Sequence, residues 1–185
     1  LDMLDEGKRV LTETSGISGG FIDMGYIFTL GSHFIPNLIK SYLEEKGENH
    51  IRFSFGQGTT KKIVEELKDG KYDLAFSSYI EGEDELEFIP VGQEELVLIM
   101  PKDHPLTEKK EIDLMDTVDY DYVYFTRNSG LRPVIDSCFS KIKRQPTIAY
   151  EGEEDSSVAG LVAAGFGIAI VPKIPLLDTM DICIR

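Results

Sequence analysis

LVAAGFGIAIVP, from Leu161 to Pro172, contains a helix end, a turn built on Gly165 and Gly167, and an apolar strand within twelve residues. A strand that is apolar at nearly every position is covered on both faces, and glycines let the chain turn sharply into it. This unit cannot bury its own surface, so the rest of the chain must supply a sheet around it.

Upstream, strand and helix patterns alternate. Phe21 to Phe28 reads as a strand, and Thr29 to Ser32 as the turn into a helix with Pro36 in its first turns. Phe34, Ile35, Leu38, Ile39, Tyr42 and Leu43 recur there at helical spacing, and Gly47 supplies a stop. Ile51, Phe53 and Phe55 alternate with Arg52 and Ser54 as in a half-buried strand; GQGTT then leads into a helix carrying Ile63, Val64 and Leu67, ended by Gly70. With a short strand over Tyr72 to Phe76, the order predicts a parallel sheet with right-handed crossovers.

Leu86 to Val91 and Glu95 to Met100 read as two further strands, the second halted by Pro101. A second unit follows: a strand over Tyr122 to Phe125; a helical stripe of Leu131, Val134, Ile135, Cys138, Phe139 and Ile142; a strand over Thr147 to Tyr150; and a helix bearing Val158, Leu161 and Val162 that Asp155 or Ser156 could cap. Ile168 to Val171 closes it. Two similar α/β units joined by apolar strands predict two lobes with a cleft between them, with no tandem sequence repeat.

Composition narrows the function. The chain has 185 residues, 19 basic and 33 acidic, for a formal charge of −14, which repels phosphate backbones. The acidic runs EGEDELE (Glu81 to Glu87) and EGEED (Glu151 to Asp155) read as solvated loops rather than cation sites, because no His or Cys stands nearby at ligand spacing. No metal and no cofactor are expected. Cys138 and Cys183 do not make a disulfide framework, and Cys138 on an apolar stripe reads as a buried reduced thiol. No apolar stretch has the length of a membrane span, and LDMLDEGKRVL has charges where a secretory signal needs its apolar core, so the expected location is cytoplasmic.

Open α/β sheets take ligands beyond the carboxyl ends of their strands. Hydroxyl residues follow three such ends in the first unit: Thr29 and Ser32, Thr59 and Thr60, Ser77 and Ser78. In the second, Thr126, Arg127, Asn128 and Ser129 follow Phe125. Each alone reads as a cap or turn residue; their convergence on one cleft points to a ligand site. Helix N-termini, Arg127 and Arg132 favour an anion, which the overall acidity opposes at long range. GQGTTKK lacks the spacing of a P-loop, His33, His50 and His104 are scattered, and no G-x-S-x-G elbow is present, so no catalytic residues are assigned.

TLGSHFIPNLIKSYL, FGQGTTKKIVEELKDGKYDLAF, LVLIMPKDHPL and GLVAAGFGIAIVP, in that order, resemble the effector-binding domain of LysR-type transcriptional regulators, from about Gly20 to Ile174. The resemblance implies a two-lobed periplasmic-binding-protein-like (type 2) α/β fold with a small-molecule effector between the lobes. It implies residues 1–14 as the end of a linker helix, 15–92 with 171–185 as one lobe, and 93–170 as the other. Thr29, Ser32, Thr59, Phe125, Thr126 and Arg127 match positions from which members contact effectors. It further implies pairing into a homodimer or higher homo-oligomer, to which the helix from Leu131 to Ile142 could offer an apolar edge. DNA would be reached only through an N-terminal helix-turn-helix outside these residues, and further elements would follow Arg185. A free-standing solute-binding protein of a transporter shares the fold and is the alternative.

Overall fold

The strand-helix-strand order at the start of the chain produces the expected parallel sheet. In the computed structural model, which describes residues 3–15, 20–46 and 51–185, β1 (Phe21–Ile27) lies between β2 (Arg52–Gly58) and β3 (Leu74–Phe76), parallel to both. The connections are helical: α2 (Phe28–Gly31) and α3 (Phe34–Lys46) after β1, and α4 (Thr60–Lys68) after β2. Ile22 and Met24 of β1 meet Leu30 of α2, Phe34, Ile35 and Leu38 of α3, and Leu74 and Phe76 of β3 in one buried cluster. Each such side chain contributes about 1.5–3 kcal/mol relative to exposure.

The helix expected at the N-terminus is α1 (Met3–Ser15), which adds Leu11 to this core and sets Gly7 against Leu38 and Phe34. On the sheet, Gly25 and Gly56 pair in register, and a Cβ on either would collide with the Tyr72 ring. Tyr72 therefore lies across both glycines, and its hydroxyl donates to Glu66 Oε2 at 2.6 Å.

The chain divides into two units at Gln93/Glu94. In the second, β4 (Leu96–Pro101) is flanked antiparallel by β7 (Ala169–Pro172) and β8 (Ile182–Ile184), while β5 (Asp121–Phe125) pairs parallel with β6 (Thr147–Gly152). A parallel bridge between Tyr122 and Ile168 joins β5 to the chain entering β7. Helices α5 (Leu131–Lys141) and α6 (Asp155–Ala163) complete the unit, with Ile135, Phe139, Val158 and Val162 in its core.

Several expectations are corrected. Leu86 to Val91 forms no strand: Phe88 packs edge-on to Tyr79, Val91 packs against the first core, and Pro90 lacks a donor for a ladder. The turn into a helix read over Thr29 to Ser32 contains a helical turn of its own, Phe28–Gly31, and GQG, read as leading into the next helix, belongs to β2. Neither Asp155 nor Ser156 caps α6; Glu154 stands at the N-cap, without a side-chain capping bond. Residues 171–185 lie with the second unit rather than the first, because β7 and β8 hydrogen-bond to β4. The apolar stripe of α5 is directed at its own core through Ile135 and Phe139. The stop at Gly47 lies outside the described residues.

Candidate functional site

In the first unit Ile27 pairs with Gly58 and Tyr26 with Phe76, so the carboxyl ends of the three strands share one rim of the sheet. Thr29, Ser32, Thr59, Ser77 and Ser78 follow those ends. Thr29 is buried within α2, whereas Ser32, the C-cap of that turn, is exposed. Thr59 is the half-buried N-cap of α4, in extended conformation, yet its hydroxyl makes no capping bond. Ser77 donates to the Ser78 carbonyl at 3.2 Å. Gln57, which the sequence reading passed over, belongs to the same rim: a Cβ on Gly31 would stand 3.3 Å from its Oε1. Its place in β2 just before the helix start was the available signal.

The second unit's residues gather at the end of β5. Phe125 is 1% exposed and its ring is in the core, so only its backbone reaches the rim. The Thr126 amide donates to the Gly152 carbonyl at 3.0 Å, tying the end of β5 to the end of β6. Its hydroxyl oxygen is buried without a hydrogen-bond partner among the described residues. Such an atom loses its water without compensation, at a cost of roughly 1–3 kcal/mol, until a ligand or water satisfies it. Arg127 and Asn128 are exposed, and Ser129 Oγ accepts from the Leu131 amide at 3.2 Å, opening α5.

Arg132 was grouped with Arg127 as a cation for an anionic ligand, but its guanidinium is engaged within the protein. Nη1 donates to the Phe125 carbonyl at 3.0 Å and to Glu151 Oε1 at 2.7 Å, Nε donates to Asp136 Oδ2 at 3.0 Å, and the group lies 4.7 Å from the Tyr124 ring centroid. Tyr124 in turn donates to Asp136 Oδ1 at 3.0 Å; burial, reinforced by that carboxylate, pushes its hydroxyl above the usual tyrosine range. Arg127 is thus the cation at this rim with no ion pair among the described residues.

The remaining candidates are structural. Lys68 pairs with Glu83 and Glu85 of the acidic loop at 3.2 and 2.9 Å. His104 caps a short 3-10 turn through Nδ1 and stacks edge-on to Tyr120, with burial lowering its pKa. No group of three metal-ligating side chains forms among the described residues.

Residues 18–180 match the family model of the LysR substrate-binding domain. The HTH-type transcriptional regulator YybE of Bacillus subtilis is 34% identical over 177 residues, 96% of this chain and 60% of the relative. GltC, a transcriptional dual regulator of the same organism, is 26% identical over 95% of this chain and 58% of its own length. The chain thus spans about 60% of the length of these relatives. Among solved structures, the effector-binding domain of QuiR in complex with shikimate is 44% identical, with a TM-score of 0.87, covering 90% of this chain and 80% of that one. HinK, a LysR family regulator from Pseudomonas aeruginosa, shares the fold at a TM-score of 0.75 and 21% identity, covering 94% of this chain and 59% of its own. The fold is therefore the α/β periplasmic-binding-protein-like (type 2) fold, and the chain belongs to the LysR substrate-binding domain family.

Proposed function

We propose that this chain is the effector-sensing part of a cytoplasmic LysR-type transcriptional regulator, and that its effector is a small hydroxylated carboxylic acid of the shikimate class. The observation that carries this reading is the 44% identity, over 90% of the chain, to a domain whose structure holds shikimate. The chemistry at the strand ends agrees with it. In the second unit the buried Thr126 hydroxyl lacks a partner and so supplies a bond for a ligand hydroxyl; in the first, taken by itself, the Thr59 hydroxyl is unspent on its helix cap and Ser32 is exposed. Arg127 supplies the charge for a carboxylate. DNA would be met through a domain preceding α1, which is consistent with a sensing portion carrying −14. The named relatives regulate transcription, which favours a regulator over both an enzyme and a transporter's solute-binding protein.

Calorimetry with shikimate and its methyl ester tests the reading. Shikimate should bind, and the ester, which has lost its charge, should bind roughly tenfold to a hundredfold more weakly, because a hydrogen bond to a charged group is worth about 1.5–3 kcal/mol. Equal affinity for acid and ester would remove Arg127 from the site, and absence of shikimate binding would remove the effector class.

Self-association belongs to the same reading. β6 is exposed along its length at one edge of a two-stranded sheet, with Ile148, Tyr150 and Phe166 also exposed and Tyr150 stacked edge-on to Phe166 at 5.0 Å. An open strand edge beside an apolar cluster favours pairing with another copy.

A further inference from the structure

The sequence suggests Arg132 as an anion ligand; the geometry points to another role, which rests on the proposed ligand site at the end of β5. We infer that Arg132 is a positioning residue that never touches the effector: by holding the Phe125 carbonyl, Glu151 and Asp136 together, it fixes the end of β5 so that the Thr126 hydroxyl and the Arg127 guanidinium are presented to the ligand.

Three elements meet at this side chain. Nη1 binds the last residue of β5 through its carbonyl and also reaches Glu151 of β6, while Nε reaches Asp136 one turn along α5. The Arg132 side chain is only 13% exposed, and its guanidinium carbon stands over the ring of Tyr124 in β5, 4.7 Å from the centroid. A planar group with donors in fixed directions can hold three acceptors at set angles; an ammonium on a flexible stem cannot. The next residue along from the clamped carbonyl is Thr126, whose amide is tied to Gly152 of β6 and whose hydroxyl is buried and unpartnered. Holding such an atom without a partner requires that the strand end be prevented from turning it toward water, and the clamp one peptide away does this. Ligand affinity is then gained because the strand end need not be ordered at the moment of binding. The two carboxylates offset the guanidinium charge locally, so the charge left to attract an anion at this rim is that of Arg127.

Amide hydrogen exchange on the whole chain, compared with shikimate titrations, tests the inference. In Arg132→Lys, exchange at the Thr126 amide should rise roughly tenfold while the amides of Tyr122 and Val123 keep their protection, because only the strand end is released. Shikimate affinity should fall roughly tenfold in the same variant. Glu151→Gln, which removes one arm's charge and leaves the arginine in place, is a second variant should Arg132→Lys fail to fold. Weaker binding in Glu151→Gln is expected of a positioning role, whereas unchanged or tighter binding would mean that Arg132 itself meets the ligand and would overturn the inference. Unchanged exchange at Thr126 in the variants would also overturn it, as would loosening spread evenly over β5. Failure of the site reading looks different: Thr126→Val and Arg127→Gln would then leave shikimate affinity unchanged, or the unaltered chain would not bind shikimate, while the exchange comparison still decides the clamp. A double-mutant cycle between Arg132→Lys and Thr126→Val should be less than additive, since each removes the same presented hydroxyl.

Discussion

Thr59 stands at the start of α4 with the backbone of a capping residue, but its hydroxyl makes no bond to the helix amides. Thr59→Val should therefore cost little stability, well below the ~1 kcal/mol of a lost cap. If the hydroxyl meets the effector, affinity should fall by roughly 0.5–1.5 kcal/mol, about twofold to twelvefold. Urea melts and calorimetry on the same variant separate the two, and unchanged affinity in a folded protein would take Thr59 out of the site. Tyr122 is a residue of a different kind. Its hydroxyl donates to Thr117 Oγ1 at 2.6 Å, and burial pushes its pKa from 10.0 to about 12. The folded state holds this proton more tightly than the unfolded chain, so the stabilisation is whole below pH 10 and is lost as pH rises from 10 toward 12. Tyr122→Phe has no such proton, and denaturant midpoints at pH 9 and pH 11 should differ less in it than in the unaltered protein.

The helix-turn-strand element from Leu161 to Pro172 was legible because its two glycines have separate physical duties. Gly165, at φ 85°, ends α6: its amide donates to the Val162 carbonyl at 2.9 Å and the Phe166 amide to Leu161 at 3.1 Å, the paired bonds of a Schellman cap. Gly167, at φ 146°, has no room for a side chain because a Cβ would strike the Asp121 carbonyl, whereas a Cβ on Gly165 meets nothing within 4 Å. Gly165→Ala should thus cost about 1–2 kcal/mol from the left-handed backbone alone. Gly167→Ala should cost more, since backbone must move; urea melts giving the reverse order would refute this account. The parallel first sheet was legible for a similar reason, as its helices and strands alternate in distinct periods. Leu86 to Val91 misled because apolar residues report a demand for contact and not a ladder, and Phe88 and Val91, both half-buried, make their contacts in irregular chain. The antiparallel pairing of β4 was missed because an apolar run carries no sign of its partner's direction. Among the candidate residues, the place of the hydroxyls after strand ends was readable in the sequence, whereas the engagement of the Arg132 guanidinium was not, because it depends on Glu151, nineteen residues away in sequence and brought near by the pairing of β5 with β6.

For the whole molecule, charge and exposed apolar surface act against each other. Each copy carries −14, so two copies repel, while Ile148, Tyr150 and Phe166 beside the open edge of β6 favour association. Added salt shortens the reach of the repulsion, from about 30 Å at 0.01 M to about 3 Å at 1 M, and leaves apolar contact intact or strengthened. A dimer built on this edge should therefore tighten as salt is raised, the opposite of one held by ion pairs. Tyr150→Glu puts a further negative charge into the cluster and breaks the stack on Phe166 while leaving the core untouched, because Tyr150 is 44% exposed. Sedimentation velocity at low and high salt should show the unaltered chain shifting toward dimer and Tyr150→Glu remaining monomeric. A wild-type dimer that dissociates with salt would assign the interface to charged surfaces elsewhere, and a Tyr150→Glu protein that still dimerises would exclude the β6 edge.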